Sequence, residues 1–233
     1  LKVPLSAPVT QAALVKVLAR EIEACIAAAG GTVRKGLAGV GVALPGFIDS
    51  MRGEVHWSAV LKPARAGTVA NVGEALTEVL GVPVFIENDA NMLALAEQWF
   101  GQAARVANVA VITLEHGLGL GLVINGELYR GHSGLAAELA HLQVVVDNGL
   151  PCSCGKRGCL EAYVAHYAIV RLGQQAGLIG GSDPMPAEGV VAAYGELAQL
   201  ARAGNAQARK IFEDQGRLLG QWIGNVVNLL APQ

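Results

Sequence analysis

Three of the chain's four cysteines fall within the stretch PCSCGKRGCLEAY, residues 151–163. Thiols this close have three ordinary fates: a disulfide, a metal clamp, or burial as small core hydrophobes. A bridge between Cys152 and Cys154 would be strained, because alternate residues of an extended chain point apart. Gly155 and Gly158 permit the tight turns that fold three sulfurs toward one point. Zinc takes four ligands in a tetrahedron, and His141, eleven residues before Cys152, would be the fourth. The set His141, Cys152, Cys154 and Cys159 therefore reads as a structural zinc site. Four protein ligands leave no open position for a catalytic water.

Two acidic side chains accompany the thiols. Glu138 and His141, in AAELAH, are three apart and share a face on a helical turn. A metal-bound histidine also has a second ring nitrogen with which to bond a further group. Glu161 lies two residues beyond Cys159, so the same metal would fix its place. Glu138, His141 and Glu161 can thus form a polar cluster braced by zinc. Spacing alone equally admits two solvated surface glutamates. Further upstream, Asn88 and Asp89 stand between an apolar run and a helical pattern, where a helix cap is the simplest reading.

The elements that must carry these residues follow from the rest of the 233-residue chain. It is 52% hydrophobic with 30 glycines and few aromatics, which suits a tightly turned α/β protein better than a β-sandwich. The formal net charge is −2 with Lys and Arg scattered, so no basic stripe for reading nucleic acid stands out. No apolar run approaches the ~18 residues of a spanning helix. Without a secretory leader, the cysteines point to a reducing, cytoplasmic setting and to metal. Both ends read as cut, with Leu1 at the start and a helix stopping at NLLAPQ.

Residues 10–29 carry Leu14, Leu18, Ile22 and Cys25 at helical spacing, with Thr10 as N-cap and Cys25 on the buried face as a small core residue. Residues 37–46 read as a buried strand ended by Pro45 and Gly46, residues 71–81 as a helix between Asn71 and Gly81, and 82–88 as a second buried strand. A helix follows at once over 89–101. This alternation predicts a largely parallel sheet covered by helices. Next come the strands VANVAVITL and LGLVI, a type I′ hairpin at Asn125-Gly126, and a strand over 142–146. From Leu160 the pattern is helical, broken by a loop over 177–189. The change of character near 90–105 divides the chain into a first lobe, 1–92, and a second, 93–233.

Three stretches, ENDANMLALAEQWFG, GELYRGHSGLAAELAH and CSCGKRGCLEAY, occur in the order and spacing of the ROK family, which the chain resembles from about Leu37 to Tyr163. That family groups bacterial sugar kinases with sugar-responsive transcriptional repressors. The resemblance implies an actin-like (ribonuclease H-like) two-lobed fold and a sugar site. Asn88 and Asp89 would hold sugar hydroxyls together with Glu138, His141 and Glu161, and Pro45 and Gly46 would lie at the opposite wall. In the kinases the equivalent of Asp89 is the general base that deprotonates the attacking hydroxyl.

A kinase must also cradle ATP and Mg²⁺ on glycine-rich turns. The family's Asp-x-Gly-Gly-Thr hairpin is not found in this chain. Its second turn, Gly-Thr-Gly, corresponds here to LEHGLGLGLV, so Glu115 and His116 replace the small residues. A carboxylate beside a triphosphate in a partly dry cleft repels it by on the order of a few kcal/mol. The family's Ala/Ser-Pro-Asn is replaced by Ser58-Ala59-Val60. These departures favour the effector-binding part of a ROK-type regulator that binds a sugar without turning it over. Its DNA contacts would come from a winged helix-turn-helix before Leu1, and its apolar late helices would support a homodimer. The alternatives are an ATP-dependent sugar kinase using Asp89, and a zinc-stabilised interaction module with a silent cleft.

Overall fold

The computed structural model of the protein describes Leu5 and residues 8–30, 33–62, 69–181 and 185–233. The chain forms two compact units. One comprises Leu1–Ala96 with Tyr129–Ala136, the other Glu97–Leu128 with Ala137–Gln233.

In the first unit, helix α1 (Gln11–Ala28) begins where Thr10 accepts a hydrogen bond from the Ala13 N–H. Its stripe Leu14, Val15, Leu18 and Ile22 packs into the core. That core ends near Ile22, so Cys25, one turn later, is exposed rather than buried as the periodicity predicts. A short helix, α2 (Val33–Gly36), precedes strand β1 (Val40–Leu44). Strands β2 (Phe47–Asp49), β3 (Glu54–Trp57) and β4 (Ala70–Asn71) form an antiparallel sheet. Helix α3 (Val72–Leu80) starts on Asn71, whose side chain accepts from the Glu74 N–H, and stops at left-handed Gly81. Val72 and Leu76 are fully buried beneath it.

Strand β5 (Val84–Asn88) pairs in parallel with β1, from Val40 opposite Val84 to Leu44 opposite Asn88. This is the sole parallel strand pair among the described residues, and the expected largely parallel sheet gives way to two antiparallel ones. Hairpins replace helical crossovers where the turn between strands is too short for anything else, as after β2. The β1–β5 pair still sets the key geometry, since Pro45-Gly46 and Asn88-Asp89 leave the carboxyl ends of adjacent strands. Ligands of open α/β sheets collect at such ends. Helix α4 (Asp89–Phe100) continues directly from β5.

In the second unit, β6 (Val109–Leu114), β7 (Leu118–Ile124) and β8 (Glu127–Leu128) are antiparallel. Asn125 and Gly126, at φ 54° and 83°, make the expected type I′ hairpin between β7 and β8. A 3₁₀ turn, Leu139–His141, follows. Residues 142–146 do not form the expected strand. Leu142 O, Val144 N and Val145 N bond instead to the backbone of Gly158 and Leu160, leaving a single bridge between Gln143 and Cys159. The run bends at Leu142 and Val144, and its partner is the cysteine loop rather than a sheet. Helices α5 (Glu161–Val164), α6 (His166–Gln175), α7 (Ala187–Arg202) and α8 (Ala206–Leu230) complete the unit. One core joins β7 to Leu139, Leu160 and Val226; another joins α6, α7 and α8 around Ile169 and Leu197. Of the loop expected over 177–189, residues 182–184 lie outside the described residues. No helix among the described residues is long and apolar enough to cross a membrane.

Candidate functional site

The cysteine loop is built by backbone turns. Cys152 N–H donates to Lys156 O, and Gly155 N–H returns to Cys152 O. Gly158, at φ 78°, lies against the Val145 carbonyl, where a Cβ would collide with it. The loop thereby gathers His141, Cys152, Cys154 and Cys159 so that one ligand atom from each lies within 4.8 Å of the others. Cys152 Sγ is 3.5 Å from His141 Nδ1, and Cys154 Sγ is 3.9 Å from Cys159 Sγ. A tetrahedral zinc with ordinary bond lengths sets sulfurs about 3.8 Å apart and sulfur from nitrogen about 3.5 Å. The cluster therefore has the donor set, and at these two edges the spacing, to hold a metal ion.

Burial pushes the Cys152 thiol up to about 12 and also raises Cys159, while burial lowers His141. The protein alone thus favours neutral thiols at Cys152 and Cys159, and a bound dication would bring them to thiolate.

Glu161, only 7% exposed, lies beside the cluster. Its Oε1 accepts from Ser153 Oγ at 2.8 Å and from Tyr167 OH at 3.4 Å, and is 3.8 Å from Cys152 Sγ. Its Oε2 accepts from the Leu118 N–H at 3.4 Å. Burial, then the Glu161 charge, pushes Tyr167 well up, so it stays a phenol and a donor. Sequence reasoning singles out neither Ser153 nor Tyr167. Ser153 lies between two ligand cysteines, a position that could have flagged it; Tyr167 gives no signal. Glu138 stands at the start of the 3₁₀ turn, its carbonyl accepting from the His141 N–H, so the two residues share one turn as their spacing predicts.

Backbone bonds tie the β6–β7 turn, whose Glu115 and His116 are exposed. Glu115 N–H bonds to Gly117 O, and Glu115 O accepts from the His166 N–H at the start of α6. The His116 ring lies 6.1 Å from that of Tyr167, and His166 stacks on Tyr194 at 3.9 Å.

The first unit holds the other candidate residues. Gly46, at φ 121°, turns the chain after Pro45, and its carbonyl accepts from Asn88 Nδ2 at 3.0 Å. Ser58, buried, donates to Pro45 O at 2.6 Å and so ties β3 to the same turn. Asn88 Oδ1 accepts from the Asn91 N–H, and Asp89 Oδ1 from the Ala90 N–H. The expected capping role at the head of α4 is present. Gly46, Asn88 and Asp89 come together here, while Glu138, His141 and Glu161 belong to the second unit.

A profile of the ROK family matches residues 2–233. The chain belongs to the ROK family. It is 32% identical over 209 residues to a glucokinase from Halalkalibacterium halodurans, covering 84% of this chain and 59% of that one. It is 31% identical over 198 residues to the xylose repressor of Bacillus subtilis, covering 85% and 47%. The crystal structure of a ROK family glucokinase from Streptomyces griseus, in complex with glucose and AMPPNP, superposes with a TM-score of 0.73 at 30% identity, covering 98% of this chain and 72% of that one. The fold of this ROK protein is accordingly α/β and actin-like. It spans about half the length of the curated relatives it matches, and these include a kinase and a repressor at similar identity.

Proposed function

We propose that this chain is the sugar-binding effector part of a ROK-type transcriptional regulator, braced by a structural zinc. Zinc on His141, Cys152, Cys154 and Cys159 would hold the loop that carries Ser153 and Glu161. The candidates for binding a sugar are Asn88, Asp89 and the Gly46 turn in the first unit and Glu138, His141 and Glu161 in the second, since a sugar's several hydroxyls suit carboxylates and amides. DNA contact would belong to a helix-turn-helix segment outside these residues. Sugar would bind one arrangement of a homodimer better than another, and that difference in affinity is the signal.

The observation that carries the regulator over the kinase is the β6–β7 turn. A phosphate-binding turn presents small residues and backbone N–H groups to an anion. Here Glu115 and His116 stand in the turn, and the Leu118 N–H already serves the Glu161 carboxylate. Negative charge in that place opposes a triphosphate.

The test is a titration of the full-length protein with D-glucose and D-xylose, read by calorimetry, alongside Mg-ATP and a coupled assay for ADP release. Sugar binding without Mg-ATP binding and without ADP is the expected result. Sugar-dependent ADP release that disappears in Asp89→Asn would overturn it in favour of an ATP-dependent sugar kinase with Asp89 as general base. Silence toward both sugars would favour a zinc-stabilised interaction module.

A further inference from the structure

Glu87 is an acid at the buried end of a strand, only 7% exposed. A carboxylate so placed is costly unless both oxygens are bonded to donors. Both are. Oε2 accepts from Arg130 Nε at 2.7 Å. Oε1 accepts from the Asn88 N–H at 2.9 Å and from Asn91 Nδ2 at 3.0 Å. Glu87 thus bonds both to the backbone of the residue expected to hold the sugar and to the side chain of the residue one turn later.

From there the bonds close on Asn88. Asn91 N–H donates to Asn88 Oδ1 at 3.1 Å, and Asn88 Nδ2 donates to Gly46 O at 3.0 Å. The Asn88 amide is therefore oriented from two sides, and on the α4 side the fastening runs through Glu87 to Arg130. Arg130 comes from Tyr129–Ala136, the segment that belongs to the first unit although its neighbours in sequence belong to the second. Gly134 secures the other end of that segment. Its φ is 75°, and a Cβ there would lie 2.9 Å from Asp49 Cα and from Ile48 O.

We propose that Arg130 and Glu87 are positioning residues for the Asn88–Asp89 turn: the bond from Arg130 holds the Glu87 carboxylate in place, and Glu87 sets the direction in which Asn88 meets its ligand. For the ligand this rests on the sugar reading above; for the geometry it does not. Arginine suits the task better than lysine, because Nε lies in a planar fork of fixed direction. Neither residue needs to touch the sugar.

The experiment uses Arg130→Ala, Arg130→Lys and the double variant Arg130→Ala/Glu87→Gln in the full chain. Hydrogen exchange on the sugar-free protein is read at Asn88 and Asn91, with α3 amides as internal control, and affinity for D-glucose and D-xylose is titrated well below the melting temperature. Arg130→Ala is expected to speed exchange at Asn88 and Asn91 at least tenfold relative to α3, and to weaken sugar binding at least tenfold. Arg130→Lys should fall between it and wild type. The double variant should recover protection and affinity, since a neutral amide in place of the carboxylate no longer needs a cation and its oxygen still accepts both bonds. Unchanged exchange at both amides in Arg130→Ala, or in Arg130→Lys should the alanine variant not fold, overturns the proposal. So does a double variant that regains protection but not affinity, because Arg130 would then be a direct sugar ligand. If wild type binds neither sugar and Arg130→Ala still exposes the two amides, the sugar reading fails while the positioning role stands.

Discussion

Gly46 shows how little freedom a single position can have. At φ 121° an L side chain is strained, and a Cβ would also strike the Trp57 carbonyl. Gly46→Ala should destabilise by about 2 kcal/mol or more in urea unfolding, and should weaken sugar binding by moving the carbonyl that holds Asn88. The thiols give a paired prediction. Cys159→Ser should abolish stoichiometric zinc by elemental analysis and lower the melting temperature, because folding and metal binding are coupled. Cys25→Ser, on an exposed helix end, should change neither. His166 offers a pH signature. Burial, more than any nearby charge, lowers its folded-state pKa below the ordinary 6.5. The unfolded chain therefore binds the proton first as pH falls, so this contribution is complete above 6.5 and is lost on acidification toward the folded value. The drop in melting temperature between pH 7 and 5 should be smaller in His166→Phe than in wild type. At this scale the clustering of the candidate metal ligands is legible in the sequence, since three share one short loop and glycines fix its turns. Glu87, Ser153 and Tyr167 are not. Their roles depend on which distant donor or acceptor the fold brings within 3.4 Å, and spacing along the chain does not encode that.

Among the elements, α3 is the most readable, because both of its ends are chemically marked by Asn71 and Gly81. Asn71→Ala should cost about 1 kcal/mol by loss of the cap. Leu76→Ala, at a fully buried position between α1 and the strands, should cost about 2–5 kcal/mol. Equilibrium denaturation with unchanged slope would check both. Residues 142–146 depart from expectation for a physical reason. An apolar β-branched run registers a preference for extended backbone, but its hydrogen-bond partner here is the cysteine loop, and a loop leaves no periodic mark. Cys25 departs because helical periodicity outlasts the core it covers. The expectation of a parallel sheet overlooks how short the links between the strands are.

For the whole molecule, ligand linkage gives the most direct test of function. A sugar present at 100 times its dissociation constant should add about 2.7 kcal/mol to stability, whereas Mg-ATP at the same multiple of a typical kinase constant should add nothing. Differential scanning calorimetry of the full-length protein reads both. The path of the chain has its own consequence. It crosses between the two units after Ala96, after Leu128 and after Ala136. No single breakpoint in the gene separates one unit cleanly from the other, so recombination cannot trade either half as a cassette. A chimera joined at residue 96 would inherit the arginine arm from one parent and its acidic socket from the other, and should fold well only when both parents carry the matching pair.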